Sequence, residues 1–141
     1  MNARERALVL LLRSTGAVLV LAFFAIFLPT EWMAWTHRWL GLGDFPRAPL
    51  VDYLTRSASA LYCIHGGLMI VVSRDVRRFA PVVVYVAMAG IAFGAAMIVI
   101  DLGAGMPLYW ILGEGPSILA VGLVTLWLAR GIQRPGTPAT P

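Results

Sequence analysis

Four long apolar stretches run along the chain, and the charges collect in the segments between them. The first extends from about Ala7 to Leu28 and stops at Pro29, and the second from about Leu50 to Ser73. The third extends from about Pro81 to Ile100, and the fourth reaches back from Leu128. A helix rises about 1.5 Å per residue against about 30 Å of hydrocarbon, so roughly 20 apolar residues cross a bilayer. The pattern predicts an all-α integral membrane protein, a four-transmembrane-helix bundle, with residues 1–134 as a single domain. The opening MNARER and its apolar run have the layout of a signal peptide, but no small-x-small cleavage site precedes Pro29. An uncleaved first helix is therefore expected. The tail PGTPATP, residues 135–141, has nothing to bury and is expected to be disordered.

The connection between the first two stretches, TEWMAWTHRWLGLGDFP from Thr30 to Pro46, has a helical pattern of its own. Thr30 is the expected N-cap, Glu31 suits the positive end of the helix, and Gly41 is the expected stop. Trp32, Trp35 and Trp39 recur at helical spacing, which puts them on one face. That face predicts a short interfacial helix between spans one and two, anchored at headgroup depth. The alternative is an aromatic lid over a cavity. His37 on the same helix reads as a surface histidine. Near the other end, Gly113, Gly115 and Pro116 interrupt GMPLYWILGEGPS. The segment after Pro116 is too short to cross alone, so either the bilayer thins or the fourth span is broken, and a structural kink is expected.

Composition supports the membrane reading. Of 141 residues, 60% are hydrophobic and 13% charged, about half the charged share of a soluble domain. The formal charge of +4 does not point to nucleic acid, because the arginines sit at the ends of apolar segments. Arg4, Arg6, Arg13, Arg74, Arg77, Arg78, Arg130 and Arg134 fall on one side, against Arg38, Arg47 and Arg56 on the other. By the positive-inside rule both termini are cytoplasmic, in a multi-pass protein of the bacterial inner membrane. The lone Cys63 offers no paired-thiol motif and reads as a small packing residue.

The polar residues inside the spans are the candidates for chemistry. Counting at about 1.5 Å per residue, His65 lies about 12 Å from the inner end of the second span, Tyr62 about 16 Å and Arg56 about 25 Å. Asp52 and Asp101 come out at about 30 Å, near the outer boundary, and Glu114 at about 24 Å from Arg130. One arginine and three carboxylates thus form an expected outer polar cluster: Arg56, Glu114, Asp101 and Asp52, with Ser59 and Tyr62 completing its hydrogen bonds. An Arg56–Glu114 ion pair is its expected centre, because the glycine–proline break lets Glu114 turn inward. His65 lies opposite Arg56 on the helix and is expected to be a mid-membrane packing histidine. No carboxylate is placed beside it for a proton relay, and no second axial ligand for haem. No cofactor and no metal are expected. Gly90 and Gly94 in AMAGIAFGAAM are expected to pack closely against the Ser59–Cys63–Gly67 side of the second span.

HRWLGLG, RSASALYCIHGG, RDVRRFAP and GMPLYWILGEGP together resemble a family of small four-span bacterial inner-membrane proteins without an assigned activity. The resemblance runs from about Trp32 to Arg130 and implies topology only. The chain is similar to DoxX-like proteins in overall architecture alone, and it lacks the glutamate in the first span that four-span multidrug exporters use. Three functions follow for testing. The first is a non-enzymatic accessory or binding protein, with the lipid bilayer and a second membrane protein or another copy of itself as partners. The second is a transporter or channel component with an outward cavity near Arg56. The third is a membrane enzyme acting on a lipid or anionic substrate, which would need acid, base and anion holder in one pocket.

Overall fold

A computed structural model describes residues 1–132. Among them there are helices and no strands, 79% helix in all. The order is α1 (Ala3–Val20), α2 (Ala22–Phe27), α3 (Thr30–Trp39), α4 (Pro49–Val72), α5 (Ala80–Ala104), α6 (Leu108–Gly113) and α7 (Gly115–Ala129). Each apolar stretch is helical. The expected disordered tail lies outside the described residues.

Proline and glycine decide where the helices stop. Pro29 ends α2, and Leu28 before it is extended at φ −64°, ψ 132°, as a residue preceding proline should be. At Leu21 the N–H is shared between Ala17 O (3.3 Å) and Val18 O (3.2 Å), a tight turn that separates α1 from α2. Gly41 follows α3 at φ 73°, the stop expected of it. α5 runs four residues beyond Ile100 and ends where Gly105 enters the left-handed region at φ 68°, with Met106 N–H bonded back to Asp101 O at 3.0 Å. Pro116, with no N–H to donate, falls one turn after Leu112, and Glu114 takes φ −83°, ψ −74° between α6 and α7. The fourth stretch is therefore a broken helix, and α6 supplies the length that the residues after Pro116 lack.

Three helical segments are long and apolar enough to cross a membrane: Ala3–Phe27, Ala80–Ala104 and Leu108–Ala129. In none is more than 22% of the apolar window buried. Phe24, Phe27, Tyr85 and Val99 are outward-facing and more than half exposed, a surface suited to lipid rather than to water. α4 has 24 residues but carries Arg56, His65 and two serines, which lower its hydropathy.

The chain divides into two compact units. Among the described residues, one joins Met1–Arg13 to residues 71–132, and the other is Ser14–Ile70. In the first, α5 and α7 run together along a seam of small residues. A Cβ placed on Gly94 would stand 2.5 Å from Leu119 N, one on Gly115 2.9 Å from Gly94 O, and one on Gly122 2.8 Å from Ile91 N. Side chains there would force the backbones apart. In the second unit, α1 and α4 meet at Gly16 and Gly66, where a Cβ on Gly66 would lie 2.6 Å from Gly16 O. The expected packing is corrected on two points. The close neighbour of Gly94 is α7, and Gly90 has Gly122 Cα at 3.8 Å from its would-be Cβ. Gly67 has open space around it, and the neighbouring Gly66 makes the close approach.

Candidate functional site

The polar centre of the Ser14–Ile70 unit is Arg56. Its Nε donates to Asp52 Oδ2 at 2.9 Å, and Nη2 donates to Asp52 Oδ1 and to Leu28 O, each at 3.1 Å. Nη1 donates to Ile26 O. The local sequence explains the arrangement. Asp52 and Arg56 are four apart on α4, so their side chains meet on one face. The last carbonyls of α2 have no intrahelical partner, and Pro29 cannot extend the helix to supply one. Arg56 thus closes the end of the first apolar segment while holding its own counter-ion. Thr30 donates its hydroxyl to Asp52 Oδ1 at 3.2 Å. The expected N-cap role of Thr30 is corrected accordingly: it is the first residue of α3, follows Pro29, and makes no side-chain cap.

The expected Arg56–Glu114 pair would join residues of different units, and each of the two has a partner inside its own unit. Arg56 has its partners in its own unit, and Glu114 accepts a hydrogen bond from Trp110 Nε1 one turn earlier in the chain. The i,i+4 spacing of Asp52 reaches the guanidinium without any adjustment of distant backbone. Ser59 is buried, but its hydroxyl donates to Thr55 O at 2.8 Å, and Thr55 in turn donates to Val51 O at 2.8 Å. These back-bonds let α4 carry hydroxyls in an apolar segment without unpaired donors. Tyr62 and His65 are exposed, and Cys63 is a half-buried free thiol. His65 is therefore on the outer surface of its unit rather than in a packed interior. Asp101, in the other unit, is 3% exposed, and its Oδ2 has no hydrogen-bond partner among the described residues.

Beside Asp52 lies an open depression of about 320 Å³, lined by Thr30, Glu31, Phe45, Arg47 and Asp52 among others. Trp32, Trp35 and Trp39 of α3 are all exposed by more than 60%, with the Trp35 and Trp39 rings stacked at 6.3 Å. His37 donates from Nδ1 to Gly43 O at 3.0 Å and meets Phe45 edge-on, fastening the loop to α3. It is thus more than a free surface histidine.

One polar group escaped the sequence reading. Glu5 is 1% exposed and receives Arg77 Nε at 2.8 Å and Nη2 at 3.0 Å. Its backbone N–H donates to Asn2 Oδ1 at 2.8 Å, and Asn2 N–H donates to Glu5 Oε2 at 3.1 Å. This is a reciprocal capping box, and the Asn-x-x-Glu spacing in NARE was its signal. Arg77, in the loop before α5, has its pKa raised, chiefly by the hydrogen bond to Glu5. Arg4 lies 5.0 Å over the Trp127 ring in the same unit. No group of three or more potential metal ligands occurs among the described residues.

No protein-family model, no curated protein and no solved structure matches the chain.

Proposed function

We propose that this is a four-span protein of the bacterial inner membrane with both termini cytoplasmic, acting as a non-enzymatic binding or accessory protein. Three apolar helices and the 24-residue α4, about 36 Å long at 1.5 Å per residue, support the four spans. The arginine asymmetry supports the orientation. The exposed tryptophan face supports an interfacial position for α3.

The observation that carries the binding reading is the state of Arg56. Its Nε and both Nη nitrogens are engaged by Asp52 and by two main-chain carbonyls, so it serves as a structural anchor beside an open depression. A catalytic or transport arginine would keep most of its donors for substrate, whereas Arg56 commits four of its five N–H groups within the described residues. Reporter fusions test the topology: those after Arg78 and Arg134 should behave as cytoplasmic, and one after Arg47 as periplasmic. A periplasmic signal after Arg78 overturns the arrangement. Affinity capture in mild detergent, with lipid and protein both identified, tests the binding role. The depression also favours a second reading, an outward-facing transporter site near Arg56. That reading requires solute uptake or efflux to fall when Asp52 is replaced by Asn in a protein that still folds.

A further inference from the structure

We infer that the depression between α3 and the start of α4 holds the headgroup of a phospholipid bearing a primary ammonium. The inference deepens the binding role proposed above and rests on it. Two lining charges are uncommitted. Glu31 and Arg47 make no ion pair or side-chain hydrogen bond among the described residues, whereas Asp52 is engaged by Arg56 and Thr30. Glu31 and Arg47 both line one depression, and their opposite charges complement a ligand that carries both signs. Arg47 suits the phosphate diester, since its planar fork donates two parallel hydrogen bonds to such an anion. Glu31 suits the ammonium at the other end of a short tether.

Position supports a lipid over a soluble zwitterion. The depression lies where apolar segments end, at Pro29–Thr30 and at Pro49, and it adjoins the helix whose tryptophans are exposed. Tryptophan marks the headgroup layer. Chemistry selects the headgroup. A quaternary ammonium has no N–H to donate and is recognised by aromatic cages. Phe45 is the single aromatic residue of the lining, and its ring is engaged edge-on by His37. A carboxylate instead suits an ammonium with hydrogens to donate.

The test uses the full chain in nanodiscs of phosphatidylcholine, alone or mixed with phosphatidylethanolamine of the same acyl chains, with thermal unfolding as the readout. Phosphatidylethanolamine should raise Tm above the phosphatidylcholine value. Glu31→Gln, an exposed substitution, should abolish that difference, while the small helix-start contribution of Glu31 is lost equally in both lipids. Arg47→Gln should reduce the phospholipid retained through detergent washing, whichever headgroup is present. Equal Tm in both lipids, or a Glu31→Gln protein that keeps the full difference, overturns the proposal. So does soluble phosphoethanolamine, added to phosphatidylcholine discs, if it reproduces the lipid's shift. A periplasmic Arg47 reporter combined with lipid indifference would defeat this site and leave the topology standing. A cytoplasmic reporter would defeat the topology without touching the lipid result.

Discussion

The two units manage buried polarity and close packing in opposite ways. In the unit of α5 and α7, Gly94, Gly115 and Gly122 bring backbones together over a long seam. Its ion pair seals Glu5 almost completely, at 1% side-chain exposure against 48% for Arg77. In the Ser14–Ile70 unit, close approach is confined to the crossing of Gly16 and Gly66, and the side chains of the Arg56–Asp52 pair are 29% and 37% exposed. One unit closes its carboxylate away from solvent beneath a half-exposed arginine. The other leaves charge at the surface beside an open depression. A buried carboxylate stripped of its partner cannot recover by hydration, whereas a half-exposed one can. The comparison therefore places the greater structural need for an intact ion pair in the first unit.

The seam gives the largest expected effect. Gly94→Leu should cost about 3 kcal/mol or more, because its side chain would meet the backbone of Leu119 and Gly115 rather than a movable side chain. Gly67→Leu is the matched control, with nothing within 4 Å of its would-be Cβ. Thermal unfolding in detergent reads both, and equal melting temperatures would mean that the seam does not hold the unit. Gly66→Ala comes next, at about 1–3 kcal/mol, since even a methyl group would press on Gly16 O and Val20 N. A neutral result there would show that the α1–α4 crossing yields easily.

The ion pairs sharpen the contrast at smaller amplitude. Arg77→Ala should lower Tm more than Arg56→Ala, because it strands Glu5 while Asp52 keeps access to water and the Thr30 hydroxyl. A double-mutant cycle should give a larger coupling for Glu5–Arg77 than for Asp52–Arg56. Equal couplings would erase the distinction. The smallest effect belongs to the capping box: Asn2→Ala should cost about 1 kcal/mol. No loss would mean that Arg77 alone positions Glu5.

Much of the helical plan was legible along the chain. Long apolar runs marked four helical stretches, the tryptophan spacing marked α3, and Pro29, Gly41 and the glycines and proline near Glu114 marked the interruptions. The candidate site was legible in part. Arg56 and Asp52 stood out as charges in an apolar setting, and their four-residue spacing made a pair available. Glu114 is nevertheless the partner expected from the chain, because Asp52 lies near an exposed helix end, where an i,i+4 pair contributes little. Glu5 went unnoticed because a charge near a chain start reads as solvated, although Asn2 three residues earlier announced the cap.

What the sequence determined by itself is what acts within a few residues. Helix formation, the proline and glycine stops, the Asn2–Glu5 box and the back-bonded hydroxyls of α4 all depend on neighbours one turn away. Tertiary structure alone decided that Gly94 meets α7 and Gly66 meets α1. It also decided that Arg56 caps the carbonyls of Ile26 and Leu28, and that Arg77 covers Glu5. Those contacts join segments far apart in sequence, and their register is set by which small residues let two backbones approach. A pattern read along a single helix shows that a face is small or charged, but carries no information about which distant surface fits it.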